Sequence, residues 1–142
     1  MGRSKAVTFV VGYAPTESSL ERAKNAFWMA LDGAVAQVPN TEHLFVLMDV
    51  NTRTGKRVDG SASEDSKALG AYGRNVHNKQ RGERLITFAG DNELALVNTS
   101  LKTRKGGVPH TNTGMGEWCD DYILTRHTQA DRRLVRDVTV YP

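Results

Sequence analysis

Cysteine is all but absent from this chain: Cys119 is the only thiol in 142 residues. That excludes an internal disulfide framework and any multi-cysteine zinc site. It fits a reducing compartment. No apolar run approaches the ~20 residues that cross a bilayer as a helix, and the N-terminus has no signal-peptide pattern. Met1-Gly2 is not followed by the Ser or Thr of an N-myristoylation motif. The four histidines, His43, His77, His110 and His127, show no metal-ligand spacing of the His-Glu-x-x-His kind. Gly106-Gly107 and Gly114-Met115-Gly116 lack the strand–helix frame of a phosphate-binding loop and read as turns. There are no internal repeats and no low-complexity tracts.

What remains is ordinary globular material. Hydrophobic residues make up 39% and charged residues 25%, which suits one domain with a real core. The formal net charge is +3, only a weak pointer to a polyanionic partner.

The first half alternates strand and helix. Ala6 to Tyr13 is β-branched and aromatic and reads as a strand. Thr16 or Ser18 can cap a helix, and Ser18 with Glu21 predicts a capping box; the helix follows from about Ser19 to Val38. Its predicted inward face is Leu20, Ala23, Phe27, Ala30, Leu31, Ala34 and Val38. Glu42 to Asp49 is the next strand, so the unit is β-α-β with parallel strands. Residues 51–76 are polar and aperiodic and read as a long surface loop. Gly82 to Asn92 reads as a helix burying Leu85, Ile86 and Phe88 or Ala89. Strands are expected at Glu93 to Asn98, Trp118 to Leu124 and Leu134 to Tyr141, with a basic turn between Leu101 and Gly107. Trp28 and Trp118 are expected in the core.

The most telling stretch is His43 to Gly55, where the apolar run Leu44 to Met48 empties into Asp49-Val50-Asn51. Residues i and i+2 of a strand share a face, so Asp49 and Asn51 are expected to aim together. In α/β proteins ligands gather at strand ends, and a carboxylate beside an amide suits a Mg²⁺–phosphate site. The same two residues can equally form a local Asx turn.

Further polar segments stand at other expected element ends: Tyr13-Ala14-Pro15, the run His77 to Phe88, Asn98-Thr99, and Asp120-Asp121-Tyr122-Ile123-Leu124. In this order the set resembles the endonuclease/exonuclease/phosphatase superfamily. The nearest likeness is to non-LTR retrotransposon endonucleases and craniofacial-development-protein-like sequences. The resemblance runs from about Val7 to Pro142, and it implies a four-layer α/β sandwich, a Mg²⁺- or Mn²⁺-dependent phosphodiesterase, and DNA as partner; an intracellular setting is expected, and the sequence leaves open whether it is the nucleus. By resemblance Tyr13 contacts the scissile phosphate and Asp49 orients or deprotonates the attacking water. Asn51 binds the phosphate, and Asp121 supports the hydrogen-bond network. Arg53, Asn78 and Thr111 fall at substrate-contacting positions. Asp49 and Asn51 contribute to a metal site without completing one.

The departures matter as much. The family has a metal-binding Glu on a strand before the Tyr-Ala-Pro segment, and residues 1–12 contain no acidic residue. The family also carries a Ser-Asp-His run after the last strand, and the sequence ends at Val140-Tyr141-Pro142. Met48 and Asp120 replace residues usual in the family. The expectation is a single domain over residues 1–142, truncated relative to the family, with an incomplete site that is inactive alone unless complemented. The rival readings are a non-catalytic remnant that binds nucleic acid or protein, and a phosphatase for a small phosphoester. Loss of the early strands should leave apolar surface and sheet edges uncovered, so self-association is expected.

Overall fold

The computed structural model describes residues 5–51, 54, 68–70, 72, 79–101, 111–112, 117–118, 120–128, 133–136 and 138. Strand β1 (Val7–Tyr13) leads to helix α1 (Glu21–Ala36) and strand β2 (His43–Asp49). Helix α2 (Lys79–Asp91) precedes strand β3 (Leu94–Leu96) and the single-turn helix α3 (Val97–Ser100). Two short strands, β4 (Thr111–Asn112) and β5 (Glu117–Trp118), pair with each other, and β6 (Asp121–Arg126) follows.

The main sheet has the order β1-β2-β6-β3. β1 and β2 are parallel, as the intervening helix requires, whereas β6 runs antiparallel to both β2 and β3. The fold is α/β, built on a mixed sheet. Among the described residues it comprises two layers, the sheet and the helices that cover one of its faces.

Strand alternation decides which face that is. Leu44, Val46 and Met48 of β2 and Tyr122 and Leu124 of β6 are buried, together with Leu94 and Leu96 of β3. They meet Leu31 and Val35 of α1 and Leu85, Ile86, Phe88 and Ala89 of α2 in one core. The α2 face is the one expected. Trp28 packs at the seam between the helices, with its ring 5.5 Å from that of Phe88, and the Arg84 guanidinium lies 5.9 Å from the Trp28 ring centroid. Arg126 ties the loop after α1 to β6 by donating to the carbonyls of Val38, Pro39 and Glu42.

Several expectations are corrected. The capping box does not form: α1 begins at Glu21, and Leu20 at its N-cap makes no side-chain cap. The Thr16 hydroxyl lies within hydrogen-bond reach of Ser18 and Ser19 instead, and Glu21 pairs with Lys24. The buried stripe of α1 is also rotated. Leu20 is 62% exposed, and Ala23 and Ala30 are exposed as well, while Trp28 and Val35 point inward. Bulky Trp28 and branched Val35 fill the seam better than alanines would. Asn98-Thr99 lies in α3 and not at a strand end. The strand expected from Trp118 to Leu124 is two strands, β5 and β6. Of the expected strand 134–141, the described residues Leu134, Val135, Arg136 and Val138 are in no strand. The stretch 51–76 is not all surface, because Thr54, Ala68 and Leu69 are buried. The basic turn after Leu101 and the Trp118 side chain lie outside the described residues.

The opposite sheet face is open along its first two strands. Val7, Phe9, Val11 and Tyr13 are 48%, 61%, 77% and 66% exposed, and Phe9 stacks on Phe45 of β2 at 5.6 Å. Toward β3 this face closes over Ala95 and Thr125, both buried.

Candidate functional site

Register assembles the site before any side chain is considered. Tyr13 pairs with Asp49 across β1–β2, and Asp49 pairs with Asp121 across β2–β6. The three therefore stand in one row across three neighbouring strands, on the open face and at one end of the sheet. Neighbouring strands lie about 4.8 Å apart, so the row is about 10 Å wide. It forms the polar end of a shallow concavity whose floor continues into Val11, Leu47 and Ile123. Tyr13 and Asp121 are exposed, and Asp49 is half-buried.

Asn51 sits differently from the expectation. Strand alternation stops at Asp49, and Asn51 adopts a left-handed backbone with φ of 49°, a conformation asparagine tolerates better than most residues. Its N–H donates to Asp49 Oδ1 at 3.1 Å, and its side-chain amide donates to the Ala14 carbonyl at 3.1 Å. The Asx turn is thus real, and it serves the site. It holds one Asp49 carboxylate oxygen and ties the end of β2 to the end of β1. The Asn51 side chain lines a second concavity of about 170 Å³ with Pro15, Lys24 and Arg84, on the far side of the β1 end from Tyr13. Asp49 and Asn51 do not aim together.

Two residues given no role by the sequence reading position Asp121. The Asn98 side chain is 1% exposed. It donates to the Asp121 carbonyl at 3.0 Å and accepts from the Ile123 N–H at 2.7 Å. A buried amide thus holds the β3-side edge of β6 at two points, the Asp121 carbonyl and the Ile123 N–H, where the carboxylate projects. Tyr122, on the opposite face of that strand, accepts from the N–H and hydroxyl of buried Thr54 at 3.1 and 3.3 Å. This anchors the chain beyond the Asp49 turn to β6. The available signal was the Asn-Thr pair itself, a polar pair directly after the apolar run Leu94 to Val97. The partner across 23 residues was not readable from it.

Electrostatics single out Asp121. Partial desolvation beside the sheet raises its pKa above the ordinary 3.8, and the adjacent Asp49 carboxylate raises it further. Replacing Asp49 by Asn removes the second cause and leaves the first. NMR titration of the Asp121 carboxyl should then find the pKa lower in Asp49→Asn than in the parent, though still above 3.8; an unchanged value would mean the two carboxylates do not interact. The linkage sign follows. Native Asp121 holds its proton to higher pH than the unfolded chain does, so its contribution to stability falls as pH rises from 3.8 through the raised value.

Two like-charged oxygens side by side fit part of the shell of a hard divalent cation, which would relieve their repulsion. Among the described residues no group of three His, Cys, Asp or Glu converges as a metal site. Asp120, beside the row, is half-buried, and its carbonyl accepts from the Val50 N–H at 2.8 Å. Arg53 and Asn78 lie outside the described residues, and of Thr111 only the backbone, in β4, is described. No helix among the described residues is long and apolar enough to cross a membrane.

Comparison with known proteins gives one distant likeness. The chain is 27% identical over 127 residues to craniofacial development protein 2 of Bos taurus. The match covers 88% of this chain and 20% of that protein, so the chain spans about one fifth of its relative's length. No family model matches, and no solved structure matches.

Proposed function

We propose that this chain carries the phosphate-and-water side of a divalent-metal-dependent phosphodiesterase centre that acts on DNA. The row Tyr13–Asp49–Asp121, set by strand register at one sheet end, carries the reading. The likeness to craniofacial development protein 2 supports it, since the ordered motifs resemble the same group of sequences.

In this reading the exposed Tyr13 phenol donates to a non-bridging phosphate oxygen. Asp49 orients the attacking water, with its carboxylate held in place by the Asn51 N–H. Asn51 acts through the turn it locks. Asp121 keeps the neighbouring carboxylate position electrostatically loaded until a cation or a proton compensates it. Asp49 and Asp121 are the residues that would hold Mg²⁺ or Mn²⁺ here. When bound, such an ion polarises a phosphate oxygen and lowers the pKa of its water.

Plasmid nicking by the full chain, with Mg²⁺ and with EDTA, tests this. The expected result is metal-dependent nicking that Asp49→Ala lowers about a thousandfold or more, as for other members of a cooperating catalytic unit. Equal background in both buffers, unchanged by the substitution, would reject it for this chain.

The second reading is a non-catalytic remnant that binds nucleic acid. Binding should then weaken steeply with salt through counterion release, without any effect of metal.

A further inference from the structure

The open sheet face has no role in the chemistry above, apart from its polar end. It is a continuous apolar surface of Val7, Phe9, Val11, Phe45, Leu47 and Ile123, with Val11 77% exposed. We propose that this face is a dimer interface, occupied by a second copy of the same chain packed sheet against sheet.

Area is the first argument. An aromatic side chain buries ~150–250 Å². At the exposures of β1, together with half-buried Phe45, Leu47 and Ile123, the face offers on the order of 500 Å² per copy. A pair then buries about 1,000 Å², the threshold of a specific interface. A patch of this size is as large as the largest that monomers usually expose, and such patches often mark an interaction site. Pairing of β1 edges between copies would satisfy backbone groups but leave these side chains in water. Face-to-face packing covers them.

Charge selects the orientation. One end of the face is acidic, with Asp49 and Asp121. The other carries His43, paired with Val7, and exposed Lys5 shortly before it. A two-fold axis along the strands would stack acidic end on acidic end. A two-fold axis across the strands stacks β1 on β1 in opposite directions, so each acidic end meets Lys5 and His43 of the second copy. Centred on Val10 and Val46, this arrangement sets Phe9 against Val11 and Phe45 against Leu47. Sheets packed this way lie about 10 Å apart. The pair places the imidazole of one copy beside the carboxylate row of the other. This packing covers the carboxylate row, so the chemistry proposed above belongs to the monomer and the dimer is its closed form.

Sedimentation of the full chain tests it. The expected mass is twice 15.7 kDa at high concentration. Val11→Lys should weaken dimerisation at least about 30-fold, the size of a hot-spot loss. It should leave the circular dichroism spectrum intact, because Val11 makes few contacts in the monomer. Met29→Lys, at a 74% exposed position on α1, should leave the dimer unchanged. For orientation, His43→Asp and Asp49→Lys should each weaken the dimer, and the double variant should restore it. A monomer at every concentration, or a dimer indifferent to Val11→Lys, overturns the interface. Failure of the double variant to restore association overturns the crossed arrangement.

Discussion

Gly70→Ala should be among the most damaging single substitutions in this chain, lowering its melting temperature by about 10 °C. Gly70 lies against α3, and a Cβ there would overlap the Thr99 carbonyl and the Ser100 backbone. Both obstacles are main chain, so no rotamer change relieves the collision. The Gly70 N–H donates to Thr99 Oγ1 at 2.7 Å, and the Tyr72 N–H donates to the Thr99 carbonyl at 2.8 Å. Thr99 Oγ1 in turn donates to the Leu96 carbonyl at 2.8 Å. The Cβ would push residues 68–72 off this framework and expose Ala68 and Leu69, which are buried. Overpacking alone costs about 1–3 kcal/mol, and the lost hydrogen bonds add about 1 kcal/mol each. At roughly 3–4 °C per kcal/mol for a chain of this length, the shift is readily measured by calorimetry. Hydrogen exchange should show faster exchange at residue 70 and Tyr72 while β2 stays protected. An unchanged melting temperature would mean that the 68–72 segment is not docked on α3.

This docking explains why part of the fold was readable and part was not. The parallel β1–β2 pair and the inward face of α2 followed from periodicity, because each strand or helix faces one core and repeats its apolar residues accordingly. The stretch 51–76 has no period, so the burial of Thr54, Ala68 and Leu69 had no local signal. What holds Thr54 and the 68–72 stretch is hydrogen bonding to Tyr122 and Thr99, far along the chain. Local rules failed where a neighbour offered a competing partner. Ser18 had the residue type and spacing of a cap, yet its hydroxyl sits beside Thr16. Asn51 had strand spacing from Asp49, yet one left-handed residue sent its side chain to Ala14.

The site divides along the same line. Asp49 and Tyr13 were legible because both end apolar strands of one β-α-β unit, where parallel register brings matching ends together. Asp121 could be placed beside them only through family resemblance, since an antiparallel strand arriving 72 residues later leaves no trace in local pattern. The register that joins them, Asp49 opposite Asp121, also creates the like-charge contact. The open apolar face beneath them follows from alternation in β1: Val7, Phe9, Val11 and Tyr13 share it, while Thr8, Val10 and Gly12 take the other side. Among the described residues only the side toward the helices is covered.

Asn98→Ala carries the other large effect, and it separates positioning of Asp121 from the chemistry at Asp121. The Asn98 amide is buried and bridges the Asp121 carbonyl and the Ile123 N–H along one edge of β6. Alanine leaves that carbonyl and that N–H without these partners in a part-buried setting, where an unmade hydrogen bond costs about 1–3 kcal/mol. The expected loss is about 3 kcal/mol, or about 10 °C in melting temperature. Asn98→Asp should be no better: it keeps an acceptor for Ile123 but sets a buried carboxylate against the Asp121 carbonyl. Below the lowered melting temperature the core should remain folded, because Asn98 makes no apolar contribution that alanine abolishes. Under those conditions the amide signals of residues 121–123 should shift and the Asp121 titration should broaden or move, while β1 signals stay in place. Metal-dependent nicking, where present in the parent, should fall with the Asp121 geometry and not with the folded fraction. A variant with full thermal stability, or one with an undisturbed Asp121 titration, would show that the carboxylate is held by β6 pairing alone.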